Sequence, residues 1–302
     1  MLRRLRIQYA SDLHLEFINK IAYQPILRPV APYLVLAGDV GRPDKRAYRD
    51  FLNYCSQNWD DVFVVAGNHE FYNTYYSKNM PVDDIQAIQT IQNRREACAA
   101  IAAEFPNVHF LDRRRVDRAG VAFLGATLWT DLRGHEDLAN TYMNDYKMIA
   151  VADQESVRPL RPSDTTEAHL VDRAWLDSEI RACEEEGRPA VVITHHLPTF
   201  DLISARYADS PLNHAFASRC DDLIRAPVRA WIAGHTHCGA HRTWTRPDGA
   251  VILGAVNPRG YPGEHGTGYS REIFLDISTE PGNGGDTRDP LVVAADDDVE
   301  LI

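Results

Sequence analysis

The sequence lacks paired cysteines and long apolar runs. Its five cysteines are widely spaced and form no C-x-x-C pair, so they fit neither a disulfide framework nor a thiolate zinc site. No stretch approaches the roughly 18 apolar residues of a membrane-spanning helix, and the basic N-terminus has no apolar secretory segment behind it. We therefore expect a soluble cytoplasmic protein in a reducing compartment, with no membrane partner.

Basic residues are also scarce relative to acidic ones. The chain has 32 Lys and Arg against 43 Asp and Glu, a net charge of -11. Affinity for long nucleic acid comes from clustered Lys and Arg, so this balance argues against a nuclease that acts on long nucleic acid. A small anionic substrate remains compatible because bound metal reverses the local charge. The sequence leaves the oligomeric state open.

Short apolar runs alternate with amphipathic segments, which is typical of an α/β protein. The 302 residues allow one large α/β domain or two smaller ones. Strands are predicted at 5–10, 33–37, 62–66, 108–111, 121–125, 190–194, 230–233, 251–253 and 273–277. Helices are predicted at 44–58, 83–105 (with Asp83 as its cap), 167–186 and 215–225. Residues 291–293 either pair as an edge strand or stay loose.

Two segments fit neither the helical nor the strand period. Residues 127–165 are rich in Trp, Tyr, Asn and Asp, and we predict that they form an inserted cap or lid. Residues 279–290 are rich in Gly and read as a flexible linker. The predicted organisation is thus one domain over 1–278, followed by a linker and tail over 279–302.

Five predicted strands end directly in polar residues. The C-terminal ends of strands in open α/β sheets gather along one edge and hold ligand sites, so these side chains should converge in one cleft. Imidazole, carboxylate and amide ligands without a thiolate suit Mn, Fe or Zn. The five ends are Asp12 and His14, Asp39, Asn68 and His69, His195 and His196, and His235 and His237.

This ligand set exceeds the needs of one tetrahedral ion, whereas two ions with a bridging carboxylate would use it fully. Two metal ions lower the pKa of a bound water so that hydroxide exists near neutral pH, and they clamp a phosphoryl group during in-line displacement. The pattern therefore predicts hydrolysis of a phosphate ester without a covalent enzyme intermediate.

In order, the motifs resemble those of the calcineurin-like metallophosphoesterases. They are Asp12-x-His14, Gly38-Asp39, Gly67-Asn68-His69-Glu70, His195 and Gly234-His235-x-His237, and they span residues 12 to 237. The resemblance implies a four-layer α/β/β/α sandwich with two mixed sheets.

The resemblance also implies a role for each motif residue. Asp12, His14 and His237 would hold one metal ion. Asn68, His195 and His235 would hold the second, and Asp39 would bridge the two. His69 would face the substrate phosphate, where it stabilises charge or protonates the leaving oxygen as a general acid.

Four residues near the motifs have two interpretations each. Glu70 either orients His69 or His235 or only caps a turn. Asn144, in the run 142–146, either contacts substrate from the cap or belongs to a patch that packs the cap on the body. Arg259 either pairs with a phosphate or lies in a solvated turn. His196 either contacts the substrate or is only a neighbour of the metal ligands.

The leading hypothesis is a dinuclear metal-dependent phosphoesterase. A dianionic monoester favours extra Arg or Lys near the metals, and the motif loops offer mainly Arg42 and Arg259, so we expect phosphodiesters, including cyclic or nucleotide-derived ones. The alternatives are a phosphomonoesterase or nucleotidase on the same site and a non-catalytic scaffold on the same fold. The full ligand set argues against the scaffold.

Overall fold

The computed structural model describes residues 4–18, 26–73, 88–154, 156–246, 249, 251–279 and 291–293. The strands are β1 Arg4–Ala10, β2 Tyr33–Ala37, β3 Asp61–Val65, β4 Val108–Phe110, β5 Arg114–Arg118, β6 Val121–Ala126, β7 Ala150–Asp153, β8 Ser156–Pro159, β9 Ala190–Thr194, β10 Val228–Ala233, β11 Ala240–Thr245, β12 Val251–Val256, β13 Phe274–Ser278 and β14 Leu291–Val293. The α-helices are α1 Arg46–Asn58, α2 Ile91–Ala102, α3 Glu136–Tyr142, α4 Asp145–Met148 and α5 Pro162–Glu185.

The strands form two mixed sheets, as predicted, and each sheet has six strands. The first has the order β14-β13-β1-β2-β3-β4, and the second has the order β11-β12-β10-β9-β6-β5. Strands β1 to β4 are mutually parallel, and so are β12, β10, β9 and β6. The polar strand ends therefore leave each sheet in a common direction. A separate hairpin, β7-β8, lies within the predicted cap segment.

The two sheets pack against each other through one buried cluster. Ile7 and Val35 of the first sheet share this cluster with Val191 of the second. Phe63 and Phe123 stack across it with ring centroids 3.8 Å apart and planes 9° apart. Because alternate side chains of a strand point to opposite faces, the other half of each strand is left for the helices.

Helices cover those opposite faces. Val62 and Val64 of β3 belong to a cluster with Phe51 of α1 and Cys98 of α2. On the second sheet, Leu124 of β6 packs in a cluster that includes Leu176 of α5. Burying apolar side chains on both faces of the parallel strands explains their uninterrupted apolar sequences. None of the helices in the described ranges is long and apolar enough to cross a membrane.

Two helix predictions were wrong in part or in whole. The helix containing Cys98 begins at Ile91, where Thr90 and Asn93 form a capping box; Asp83, the predicted cap, lies outside the described residues. No α-helix forms over 215–225, where short 3-10 turns occur instead. There Leu197 donates its N–H to the carbonyl of Phe216 and accepts from Ser218, so this backbone pairs with another segment.

Other boundaries also differ from the prediction. Helix α5 begins at Pro162, a residue suited to the first helical position, rather than at 167. Strands β5 and β11 were missed because they are largely exposed edge strands without apolar runs. Strand β14 pairs antiparallel with β13, which resolves the alternatives for 291–293. The division into a domain and a tail, and the role of 127–165 as a cap, stay predictions.

Candidate metal centre and active site

The loops after β1, β2, β3, β9 and β10 meet at one edge of the paired sheets. Their backbones are joined directly: Asp12 donates its N–H to the carbonyl of Gly38 at 3.0 Å, and His14 donates to the carbonyl of Asp39 at 3.0 Å. Gly234 donates to the carbonyl of His195 at 2.9 Å. The structure thus brings together the strand-end residues that the sequence indicated.

Asp12, His14 and His237 form the first group of potential metal ligands. One ligand atom from each lies within 4.8 Å of the others. The Nε2 atoms of His14 and His237 are 3.0 Å apart, and His237 Nε2 is 3.4 Å from Asp12 Oδ1. Two imidazole nitrogens that share one ion through bonds of about 2.0–2.1 Å lie about 3 Å apart, so this spacing fits a metal.

Asp39, His195 and His235 form the second group, again within 4.8 Å. Asn68 joins them, because its Oδ1 lies 3.0 Å from His195 Nε2. The Nε2 atom of His235 is buried and has no hydrogen-bond partner. Buried polar atoms are rarely left unpaired, and a metal ion would accept this lone pair. The donor set and the unpaired nitrogen both fit a bound ion.

Asp39 reaches both groups. Its Oδ2 is 3.9 Å from His14 Nε2 and 3.5 Å from His195 Nε2, while its Oδ1 accepts from the backbone N–H of His69 at 2.8 Å. Burial alone would raise the pKa of the Asp39 carboxyl, but the neighbouring imidazoles of His195 and His69 outweigh burial and hold it well below its usual value. Asp39 is therefore placed as an ionised carboxylate between the groups.

Three of the imidazoles are oriented through Nδ1, which leaves Nε2 directed to the potential metal positions. A hydrogen bond of this kind fixes the tautomer of a metal-binding histidine. The partners are Glu16 Oε1 for His14 at 3.4 Å, Glu264 Oε2 for His237 at 2.7 Å and the carbonyl of Ala37 for His195 at 2.9 Å.

Several of these residues have unusual backbone angles. Ten non-glycine residues in the described ranges have positive φ, and five of them are predicted ligands with φ between 49° and 72°. Left-handed backbone is uncommon for non-glycine residues and concentrates at functional sites. The five are Asp12, His14, Asp39, His235 and His237.

Gly67 is required by close packing between two loops. A Cβ atom at this position would lie 2.7 Å from the backbone nitrogen of Asp39 and would collide with the Asp39 carboxylate. The loop after β3 therefore approaches the loop after β2 as closely as it does only because residue 67 has no side chain.

Glu70 joins the same two loops. Its carboxylate accepts from the backbone N–H groups of Gly67 at 2.7 Å, Val40 at 2.8 Å, Asp39 at 3.0 Å and Gly41 at 3.3 Å. Burial and the charge of Asp39 raise the pKa of Glu70 to about 8, although the backbone donors oppose this shift. Of the two interpretations of Glu70, these contacts favour the second: the carboxylate caps backbone donors.

The imidazole of His69 is held between Glu16 and Tyr261. Its Nδ1 is 2.9 Å from Glu16 Oε1, and its Nε2 is 3.1 Å from the Tyr261 hydroxyl. Burial lowers the pKa of His69, but the carboxylates of Asp39 and Glu16 raise it above its ordinary value overall. His69, His14 and Glu16 also lie close enough together to form a third ligand group. The hydrogen bonds from both imidazoles to Glu16 already explain why these three side chains are close together.

Sequence reasoning missed the carboxylates that support the site. Asp145 Oδ1 accepts from Asn68 Nδ2 at 2.8 Å and from the Tyr72 hydroxyl at 3.1 Å, which turns Asn68 Oδ1 toward His195. Glu16 could have been noticed, since it follows His14 by two residues. Glu264 and Asp145 are far from the motifs in sequence, and no motif marked their roles.

A cavity of about 390 Å³ opens over the site. Residues of the segments 142–144, 203–216 and 261–264 form one part of its lining, and the rest comes from the motif loops: Asp39, Asn68, His69, Tyr72, His235, Thr236 and His237. Within the described part of the chain, no Arg or Lys lines it. The cavity therefore offers a metal-facing surface and a largely uncharged surface.

The three predicted substrate contacts differ in position. Asn144 lines the cavity. Arg259 does not, and its Nη1 donates to the carbonyl of Leu13 at 3.0 Å. His196 is buried behind His235, with ring centroids 4.3 Å apart, and burial lowers its pKa to about 3. The geometry supports Asn144 as a contact, while the roles of Arg259 and His196 stay predictions.

Comparison with known proteins identifies the family. The pattern of the calcineurin-like phosphoesterases matches residues 5–239. Uncharacterized protein L509 of Acanthamoeba polyphaga mimivirus is 27% identical over 288 residues, which cover 90% of this chain and 96% of that protein. The phosphopantetheinyl hydrolase PptH of Mycobacterium tuberculosis has a similar fold, with a TM-score of 0.58 and 19% identity over 87% of this chain and 94% of that one. The chain therefore belongs to the calcineurin-like phosphoesterases and is a metal-dependent phosphoester hydrolase.

Proposed function

We propose that this hydrolase binds two metal ions and cleaves small phosphodiesters. The observation that carries the proposal is the position of Asp39, whose Oδ2 lies within 3.9 Å of a nitrogen in each ligand group. A carboxylate in that position suits a bridge between two ions. Asp12, His14 and His237 would hold one ion, and Asn68, His195 and His235 the other; Mn, Fe or Zn matches these donors.

When bound, the metals supply a deprotonated water near neutral pH and neutralise charge on the phosphoryl group. The chain itself supplies the proton for the leaving group. His69 lines the cavity. Glu16 holds its Nδ1, and its Nε2 lies beside the hydroxyl of Tyr261, which also lines the cavity. We assign His69 the role of general acid toward the leaving oxygen, with Glu16 as a positioning residue.

The cavity favours diesters over monoesters. A monoester carries a second negative charge that is usually met by Arg or Lys, yet in the described part of the chain the lining includes neither and does include the carboxylate of Glu264. A volume of about 390 Å³ also leaves room for a second ester group. Phosphomonoester or nucleotidase activity on the same site is the alternative, and it predicts the opposite preference.

The test compares bis(p-nitrophenyl) phosphate with p-nitrophenyl phosphate on Mn-loaded protein. We expect faster turnover of the diester and near-complete loss in Asp39→Ala, while Val171→Ala, which changes an exposed residue away from the site, retains activity. Unchanged turnover in purified Asp39→Ala would refute the assignment. Faster turnover of the monoester would favour the alternative. Less than one ion per chain, under several metal supplements, would revive the scaffold hypothesis.

The role of His69 has a test of its own. A general acid matters most when the leaving alkoxide is poor, and its removal costs about 10²–10⁴-fold. His69→Ala should therefore impair an alkyl diester far more than an aryl diester, whose leaving group needs no proton. Equal impairment of both substrates would show that His69 stabilises charge instead of donating a proton.

A further inference from the structure

Exposed aromatic side chains concentrate at the mouth of the active-site cavity. In the described ranges, six large apolar or aromatic residues are exposed, and four of them are near the site. Tyr142, Tyr207 and Tyr261 line the cavity. Phe17 lies beside Tyr261, with ring centroids 5.8 Å apart. Exposed rings grouped around a cleft indicate a surface for an apolar or aromatic ligand.

Each of the three segments that complete the cavity contributes one of these tyrosines. Tyr142 ends α3, Tyr207 lies in the 203–216 segment, and Tyr261 lies between β12 and β13. Tyr207 is held in place because the Arg206 guanidinium stacks on its ring at 4.7 Å and also donates to Cys238 Sγ at 2.7 Å. Because these tyrosines are exposed, the stability of the fold does not depend on burying their rings.

The cavity also offers a hydrogen-bonding group for the edge of a ring. Asn144 immediately precedes α4, but its side chain makes no capping hydrogen bond with that helix, and it lines the cavity. A carboxamide presents both a donor and an acceptor, the pattern with which Asn pairs to a nucleobase edge. Leu212 and Phe216 add apolar surface to the same wall.

The charges of the cavity lining restrict the part of the ligand that does not contact the tyrosines. Glu264 carries a carboxylate in the lining, and its Oε2 accepts from His237 Nδ1 and from the backbone N–H of Tyr261 at 2.9 Å. No Arg or Lys belongs to the described lining, and the nearby Arg206 guanidinium is engaged with Tyr207 and Cys238, so the lining itself offers no cation to a polyphosphate chain. The cavity therefore suits a substrate with one phosphodiester charge and an uncharged ring.

We propose that the non-leaving ester group of the substrate carries a flat aromatic ring, of the nucleoside class, that docks on Tyr142 and Tyr207 beside Asn144. This inference rests on the proposed phosphodiesterase function and adds the class of ester group. Stacking on an aromatic side chain tolerates different bases, so the tyrosines supply affinity, and Asn144 supplies the distinction between a nucleobase and a plain aryl ring.

The test uses diesters that share a p-nitrophenolate leaving group and one negative charge. They differ in the other ester group, which is methyl, phenyl or 5′-thymidyl. For Mn-loaded wild-type protein we expect kcat/KM to be at least about tenfold higher for thymidyl than for methyl, mainly through a lower KM. A ratio near one would overturn the inference. No turnover of any diester would instead refute the proposed function.

Variants then locate the ring. Tyr142→Ala and Tyr207→Ala should each lower the thymidyl-to-methyl ratio about fivefold or more, and Tyr142→Phe, which keeps the ring, should preserve it. Val171→Ala, exposed and outside the cavity, is the matched control and should change nothing. An unchanged ratio in both alanine variants would overturn the assignment of these residues.

Asn144 separates the two sources of an aromatic ring. Asn144→Ala should lower kcat/KM for the thymidyl diester and leave that for the phenyl diester unaltered. Equal values for both diesters in wild-type protein, together with no effect of Asn144→Ala, would refute the nucleoside class.

Discussion

Replacing Asp145 with alanine should weaken one metal site and spare the other. Asp145 Oδ1 accepts from Asn68 Nδ2 at 2.8 Å, and both side chains are buried. This bond fixes which atom of the Asn68 carboxamide faces His195 and the second ligand group. Without it Asn68 Nδ2 keeps only the 3.1 Å bond to the Tyr72 hydroxyl, so the carboxamide that serves one ion is held less firmly, while Asp12, His14 and His237 are unchanged.

The magnitude follows from the kind of bond. A hydrogen bond to a charged group contributes about 1.5–3 kcal/mol, which corresponds to a loss of about 10–150-fold in affinity. Losses of about 10–100-fold are typical when the partner of a metal ligand is removed. Burial raises the pKa of Asp145 above its ordinary value, although the hydrogen bond from Asn68 opposes this shift.

The assay is calorimetric titration of metal-free protein with Mn, with circular dichroism to verify folding. Wild-type protein should bind two ions, and Asp145→Ala should bind one with unchanged affinity and one about 10–150-fold more weakly. Tyr72→Phe removes the hydroxyl that accepts from Asn68 Nδ2 at 3.1 Å and donates to Asp145 at 3.1 Å. It keeps the carboxylate partner of Asn68 and should lose less. Glu264→Gln, which acts on His237, should weaken the other ion.

Two outcomes would refute this reasoning. If Asp145→Ala binds both ions with wild-type affinity, Asn68 is not oriented by Asp145 or is not a ligand. If both ions weaken equally while the fold is intact, the two ligand groups do not act as separate sites.

Three further predictions concern packing and pH. Gly67→Ala, which sets a Cβ against Asp39, should cost about 1–3 kcal/mol of unfolding free energy in urea titrations of metal-free protein; an unchanged midpoint would contradict the close approach. Phe63→Ala removes a ring stacked between the sheets and should cost about 3–5 kcal/mol of unfolding free energy. A much smaller loss would contradict packing of the two sheets at this ring. Partial desolvation of the His241 imidazole, which lies against the Tyr9 ring with centroids 6.2 Å apart, lowers its pKa below the ordinary 6.5. The neutral form is therefore favoured in the fold, and its stability contribution, fully present above the unfolded pKa, is lost as pH falls toward the folded pKa. Between about pH 7 and pH 5, His241→Gln should therefore lose less stability than wild-type protein in thermal melts.

Local sequence predicted the strands that carry the site. Runs such as Val62–Val65 are apolar throughout because they are buried on both faces, and the change to polar residues marks the strand end. Exposed edge strands gave no such signal: β11 is mostly exposed and has a mixed sequence. The segment 215–225 shows the opposite error, since its composition suits a helix but its backbone bonds to Leu197.

At the site, too, the sequence predicted some features and missed others. The motifs predicted which loops would meet, because parallel strands deliver their C-terminal ends to one edge. They did not predict the direction of each side chain within the cleft. Glu70 illustrates the difference: it lies in a motif, yet its bonds go to backbone N–H groups of the neighbouring loop, which only the packed sheet brings within reach.

The sequence by itself thus determined the family, the order of the buried strands and the imidazole, carboxylate and amide groups at their ends, because these depend on local pattern and chemistry. The tertiary structure decided how those groups are oriented and what surrounds them. Asp145 reaches Asn68 across 77 residues of chain, and Tyr142, Tyr207 and Tyr261 meet at one cavity only after folding. Contacts between distant segments depend on how the sheets, helices and loops pack, and no spacing along the chain records that.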